Sequence, residues 1–151
     1  MVSSKKKSMI LHATTIDISG KGTSIIGVSG LGKSSLAIKL IAMGADLVSD
    51  DLTLFKCVDE QIFLSKPKNT PAVIEARGIG LIPVKKFINT SELFYFVKLS
   101  DEPVERLPAA NNKFCFGKPI RLIHFNPLSG NEAALYLMLK YGLVDSTNLG
   151  Q

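Results

Sequence analysis

Gly27-Val28-Ser29-Gly30-Leu31-Gly32-Lys33-Ser34 satisfies the phosphate-loop pattern G-x-x-x-x-G-K-[ST] at every position. Its glycines at 27, 30 and 32 permit backbone angles closed to other residues, so several N–H groups can converge on phosphate oxygens. Lys33 adds a point charge and Ser34 a hydroxyl suited to Mg²⁺. Val28, Ser29 and Leu31 complete the cradle through their backbone amides. Thr23-Ser24-Ile25-Ile26 before the loop is short and β-prone, while Ser34 to Met43 after it places Leu36, Ala37, Leu40 and Ile41 on one helical stripe ending at Gly44. The loop is therefore expected on a helix N-terminus, where unpaired N–H groups and the macrodipole favour a bound polyphosphate.

Further along, Ala45-Asp46-Leu47-Val48-Ser49-Asp50-Asp51 is an apolar strand ending in carboxylates. Alone, Asp-Asp at a strand end reads as a turn or cap; downstream of a phosphate loop it reads as metal-binding and proton-accepting groups. Strands are predicted near 9–18, 23–28, 46–49, 52–58, 61–65, 79–84, 93–99 and 120–125. Helices are predicted at 33–43 and 131–141, with short ones near 70–76 and 84–88. Pro67, Pro71, Pro103, Pro108 and Ala109-Ala110-Asn111-Asn112 mark loops. So many strands predict an α/β fold, a mixed and partly antiparallel sheet around the nucleotide-binding helix.

The chain has 151 residues, enough for one domain that buries about 70% of its unfolded surface. Division into a disordered basic N-terminus, 1–8, and a catalytic domain, 9–151, is expected. Cys57 and Cys115 are far apart and lack a C-x-x-C pattern, which predicts reduced, non-functional thiols and a cytoplasmic protein. No apolar run approaches the ~18 residues of a membrane span, and Met1 to Ser8 lacks the apolar stretch of a signal peptide. The formal charge of +5 includes the Lys5-Lys6-Lys7 run, and the remaining basic residues are dispersed without aromatic interleaving. It reads as solvated surface, with no specific nucleic-acid partner.

Leu11-His12, the loop at 27–34, Gly44, Val48-Ser49-Asp50-Asp51 and Ile74-Glu75-Ala76-Arg77-Gly78-Ile79-Gly80-Leu81-Ile82 together resemble the catalytic domain of HPr kinase/phosphorylase. The resemblance is strong over residues 10–88 and weaker to about 107. It implies a single phosphate-loop kinase domain similar to the fold of HPr kinase and phosphoenolpyruvate carboxykinase. It also implies an ATP-dependent protein serine kinase that acts on the phosphocarrier HPr and so regulates the sugar phosphotransferase system, with phosphorolysis of phosphoserine by phosphate, yielding pyrophosphate, as the reverse activity. A homo-oligomer is implied as well.

Position by position, the resemblance assigns Lys33 to the β and γ phosphates, Ser34 and Glu75 to Mg²⁺, and Asp51 to the proton of the acceptor serine. Asp50 sits beside Asp51 in metal binding or hydrogen bonding, His12 near the transferred phosphate, and Arg106, in Glu105-Arg106-Leu107-Pro108, matches a catalytic arginine. By residue type alone, His12 on an apolar strand reads as structural, as does His124. Arg77 before glycines reads equally as a substrate contact or as a tight turn. Ala13 and Ser35 depart from the family pattern, and a basic dephosphorylation loop is not recognisable, Gly117-Lys118-Pro119-Ile120-Arg121 being the nearest segment. Two other classes fit the loop: a nucleotide- or phosphate-sensing module, and a small-metabolite kinase with 106–118 as its lid.

Overall fold

The computed structural model describes residues 6–67, 70–103 and 105–144. The chain opens with β1 (Lys7–His12), β2 (Thr14–Ile18) and β3 (Lys21–Ile26), continues through α1 (Lys33–Met43), and then enters β4 (Asp46–Ser49), β5 (Leu52–Val58) and β6 (Gln61–Ser65). A hairpin of β7 (Val73–Ala76) and β8 (Gly80–Pro83) follows, then β9 (Thr90–Leu99), β10 (Asn112–Cys115), β11 (Lys118–Phe125) and α2 (Glu132–Tyr141). Nine strands form one mixed sheet in the order β1-β5-β6-β9-β3-β2-β4, with β11 also on β9 and β10 on β11.

The branch arises because β9 is long. Its first residues pair antiparallel with β6 and its later ones, Tyr95 to Leu99, pair parallel with β11, while β3 runs parallel along the sheet from Glu92 to Lys98. Alternation of side chains then makes two cores. Ile16, Ile18, Ile25, Val97 and Leu99 face Leu36, Ala37 and Leu40 of α1 and Leu135 and Leu139 of α2. Val48, Phe55, Ile62, Leu64, Phe96 and Ile120 form the other, where Phe55 and Phe96 stack with centroids 6.0 Å apart. Each fully buried aliphatic side chain here is worth about 1.5–3 kcal/mol of transfer free energy.

Both long helices lie where the apolar spacing predicts them, and α1 ends at Gly44, whose N–H bonds to the Ile41 carbonyl. Five local expectations are corrected. The 9–18 run is two strands, broken at buried Ala13, because β1 pairs with β5 whereas β2 pairs with β3 and β4. Residues 73–76 are a strand: Ile74 and Ala76 point inward and Glu75 outward, a period of two that β8 completes. Residues 84–88 are not helical, since their backbone is taken by the edge of β4, with Leu47 N–H bonded to Lys86 O and Ile88 N–H to Leu47 O. Finally, Lys7 and Ser8 of the terminus expected to be disordered extend β1, residues 1–5 of it lying outside the described residues, and Asn112, expected in a loop, begins β10.

Gly22 marks where β3 meets β9 and β6 most closely. A Cβ there would lie 2.6 Å from the Glu92 carbonyl oxygen, 2.7 Å from Ser91 Oγ and 2.9 Å from Leu64 Cδ1. Gly22→Ala is expected to lower stability by about 1–3 kcal/mol through overpacking, read as a fall in the urea midpoint at constant m.

Candidate active site

Ala13 and Asp51 face each other at the corner where two long strand pairs bend. Ala13 N–H bonds to the Asp51 carbonyl at 3.0 Å, and Asp51 adopts a left-handed φ of 71°. That turn separates β4 from β5 and puts Asp50 and Asp51 on the rim of the sheet beside the start of α1.

Asp50 becomes the junction of the site. Its Oδ1 accepts hydrogen bonds from Ser34 Oγ at 2.7 Å and from Thr14 Oγ1 at 2.9 Å, and its Oδ2 accepts from the Glu75 backbone N–H at 3.0 Å. One carboxylate thereby ties the helix start, β2 and the β7–β8 hairpin together. Asp51 is exposed, and its Oδ1 lies 3.9 Å from His12 Nδ1, itself largely exposed. An exposed pair at that distance orients the two groups and adds little stability.

The loop between β3 and α1 turns on glycines in the left-handed half of backbone space, with φ of 148°, 89° and 100° at Gly27, Gly30 and Gly32. A Cβ on Gly27 would also lie 3.2 Å from the Leu99 carbonyl oxygen, so β9 holds the loop's base closely. Lys33 Nζ donates to the Gly27 carbonyl at 3.0 Å, crossing the loop from beneath; an ammonium has two further donors to direct elsewhere.

Ser29 to Ser34 line a cavity of about 460 Å³, joined by Thr14, Asp51, Glu75 and Arg77 and by Lys39, Phe125, Pro127 and Glu132. A second cleft, about 280 Å³, lies between Asp50, Asp51 and Glu75 and the wall made by Pro67, Thr70, Pro71 and Leu81. Asp51 and Glu75 border both spaces.

The fold thus gathers Lys33, Ser34, Asp50, Asp51, Glu75 and, at the edge, His12. Arg106 is exposed and does not line the cavity, and among the described residues no hydrogen bond or ion pair holds it. The 106–118 stretch is not a free lid, because Asn112–Cys115 and Lys118 onward are paired as β10 and β11. Thr14, Lys39, Phe125 and Glu132 also belong to the cavity; only their three-dimensional neighbours single them out. His124 lies on β11 within 3.3 Å of the Asn111 side-chain amide and does not line the cavity.

Among the described residues no group of three or more carboxylate, histidine or cysteine side chains forms a metal cage. Mg²⁺ needs no such cage, since it keeps waters and phosphate oxygens and takes one or two carboxylates. The Ser34 hydroxyl against Asp50, with Glu75 bordering the same cavity, is a hard-oxygen donor set of that kind. Burial, with Cys57 nearby and Lys113 opposing, pushes the Cys115 thiol up to about 11, so it is an inert core side chain. No helix among the described residues is long and apolar enough to cross a membrane.

The sequence profile described as the HPr Serine kinase C-terminal domain matches residues 4–94. An HPr kinase/phosphorylase of Lachnoclostridium phytofermentans is 35% identical over 130 residues, which cover 74% of this chain and 42% of that protein. One from Clostridium beijerinckii is 41% identical over 83 residues, covering 55% and 28%. The chain thus spans less than half the length of these curated relatives. A solved HPr(Ser) kinase/phosphatase from Coxiella burnetii has a similar mixed α/β fold, with a TM-score of 0.77 at 25% identity over 87% of this chain and 88% of that one.

Proposed function

The chain belongs to the HPr Serine kinase C-terminal domain family, and from that premise we propose that it transfers the γ-phosphoryl group of ATP to a serine hydroxyl of the phosphocarrier HPr, regulating the sugar phosphotransferase system. The observation that carries the reading is the shared border of the two spaces. Asp51 and Glu75 stand between the glycine-loop cavity and the second cleft, so a triphosphate on one side and an acceptor loop on the other would meet at the Asp51 carboxylate.

The roles follow from what phosphoryl transfer requires, alignment of the hydroxyl and neutralisation of charge on the phosphate oxygens. The amides from Val28 to Ser34 and the Lys33 ammonium bind the β and γ phosphates. Ser34 and Glu75, with Asp50 behind the hydroxyl, would hold Mg²⁺, which supplies further charge neutralisation on those oxygens. Asp51 accepts the proton of the serine hydroxyl as its oxygen bonds to the γ-phosphorus and ADP leaves. His12 steadies Asp51 from the strand beside it. Read in reverse, the same groups would bind phosphate and phosphoserine and release pyrophosphate.

The test combines purified chain, Mg²⁺ and ATP labelled in the γ position with HPr carrying or lacking its acceptor serine. Label is expected on HPr only when the serine is present. Label on a sugar or nucleoside instead would make the chain a metabolite kinase, and ATP binding without transfer would make it a sensor. Adding phosphate to serine-phosphorylated HPr and assaying pyrophosphate reads the reverse direction.

A further inference from the structure

On the wall of the larger cavity, one carboxylate is left over by the mechanism above. Glu132, the first residue of α2, lines the cavity with its side chain 13% exposed. Its Oε1 is 3.9 Å from Lys39 Nζ, whereas Oε2 is buried and has no hydrogen-bond partner among the described residues. A carboxylate with one oxygen sealed from solvent and without a donor is costly, and because the rest of the Glu132 side chain borders the cavity, rotation of the carboxylate would bring that oxygen to a donor supplied by a ligand.

The geometry also says which part of a ligand arrives there. Lys39 lies one turn beyond Ser35 on the same face of α1, on the order of 7 Å of helix axis past Ser34. A triphosphate held by the glycine loop with its reacting end toward Asp51 would therefore send its nucleoside toward Lys39 and Glu132. Phosphate oxygens only accept hydrogen bonds and repel a carboxylate, so they do not satisfy Oε2. Ribose hydroxyls donate.

We propose that Glu132 is a specificity-determining residue that accepts hydrogen bonds from the ribose hydroxyls of the bound nucleotide, with Lys39 holding the carboxylate in place. This rests on the nucleotide-binding reading above. The carboxylate selects a ribonucleotide over a bare polyphosphate or a deoxynucleotide, and the loop amides supply the affinity common to all three.

Isothermal titration of the full chain with Mg²⁺ and ATP, 2′-deoxy-ATP, 3′-deoxy-ATP, ITP or inorganic tripolyphosphate separates these contributions. The parent is expected to prefer ATP over at least one deoxy analogue by about tenfold, the size of one charge-assisted hydrogen bond. ITP, which lacks the exocyclic amine, is expected to match ATP. Glu132→Ala is expected to lose that tenfold for ATP, to bind ATP and both deoxy analogues alike, and to keep its affinity for tripolyphosphate, which also reports an intact loop.

Unchanged ATP affinity in Glu132→Ala, or equal losses for ATP and tripolyphosphate, would overturn the assignment while leaving nucleotide binding standing. A penalty for ITP with none for the deoxy analogues would overturn it in favour of base recognition. A parent that binds neither ATP nor tripolyphosphate would remove the nucleotide reading itself, and this inference with it.

Discussion

Asp51→Asn is expected to lower transfer of phosphate to HPr by about 10²–10⁴-fold, the usual contribution of a positioned general base, while leaving ATP affinity and folding stability close to those of the parent. The substitution isolates the chemistry for a backbone reason. Asp51 sits at φ 71°, and asparagine tolerates that left-handed conformation as well as aspartate does, whereas alanine would add strain. The contact with His12 is exposed and 3.9 Å long, so its loss costs little. Single-turnover transfer measured beside ATP titration and a urea melt checks all three parts. Full transfer by Asp51→Asn would remove the proposed base.

At Asp50 a substitution is expected to act through structure. Asp50→Ala leaves the Ser34 and Thr14 hydroxyls and the Glu75 amide without their common acceptor. Hydrogen bonds to a charged group are worth about 1.5–3 kcal/mol each, but these sites are only partly buried and water replaces some of them. A net loss of about 2–3 kcal/mol is expected, with weaker ATP binding because the hydroxyl of Ser34 is no longer held at the loop. Asp50→Asn falls between, since an amide presents one acceptor oxygen where the carboxylate uses both. Urea midpoints for the Ala and Asn variants, compared with Asp51→Asn, test the division of labour between neighbours. Asp50→Ala as stable as the parent would show that the junction contributes nothing to the fold.

What was legible in the residues follows the range over which each feature is decided. The glycine loop requires unusual φ at 27, 30 and 32, and α1 requires only its own stripe of Leu36, Ala37 and Leu40 and a glycine stop. Lys33 and Ser34 follow from the loop motif, Asp51 from its order after the loop, and Glu75 from the family resemblance, and all four border one cavity. The short helices expected near 70–76 and 84–88 do not form, because backbone groups of 73–76 and 84–88 are satisfied by β8 and by the edge of β4, partners that helical spacing within the segment does not reveal. Arg106 was assigned through a short local pattern, yet the fold leaves it off the cavity wall.

The amino-acid order alone therefore determined the glycine-rich loop, the two helices and the pair of aspartates, since each depends on backbone angles and side-chain periodicity within a few residues. Only the tertiary structure decided that Asp50 gathers Thr14, 36 residues away, together with Ser34 and Glu75, that Asp51 borders two spaces, and that Glu132 lines the larger one. Those outcomes depend on which distant hydrogen-bonding and apolar groups meet when the sheet folds around β9, and no local preference encodes a partner that far along the chain.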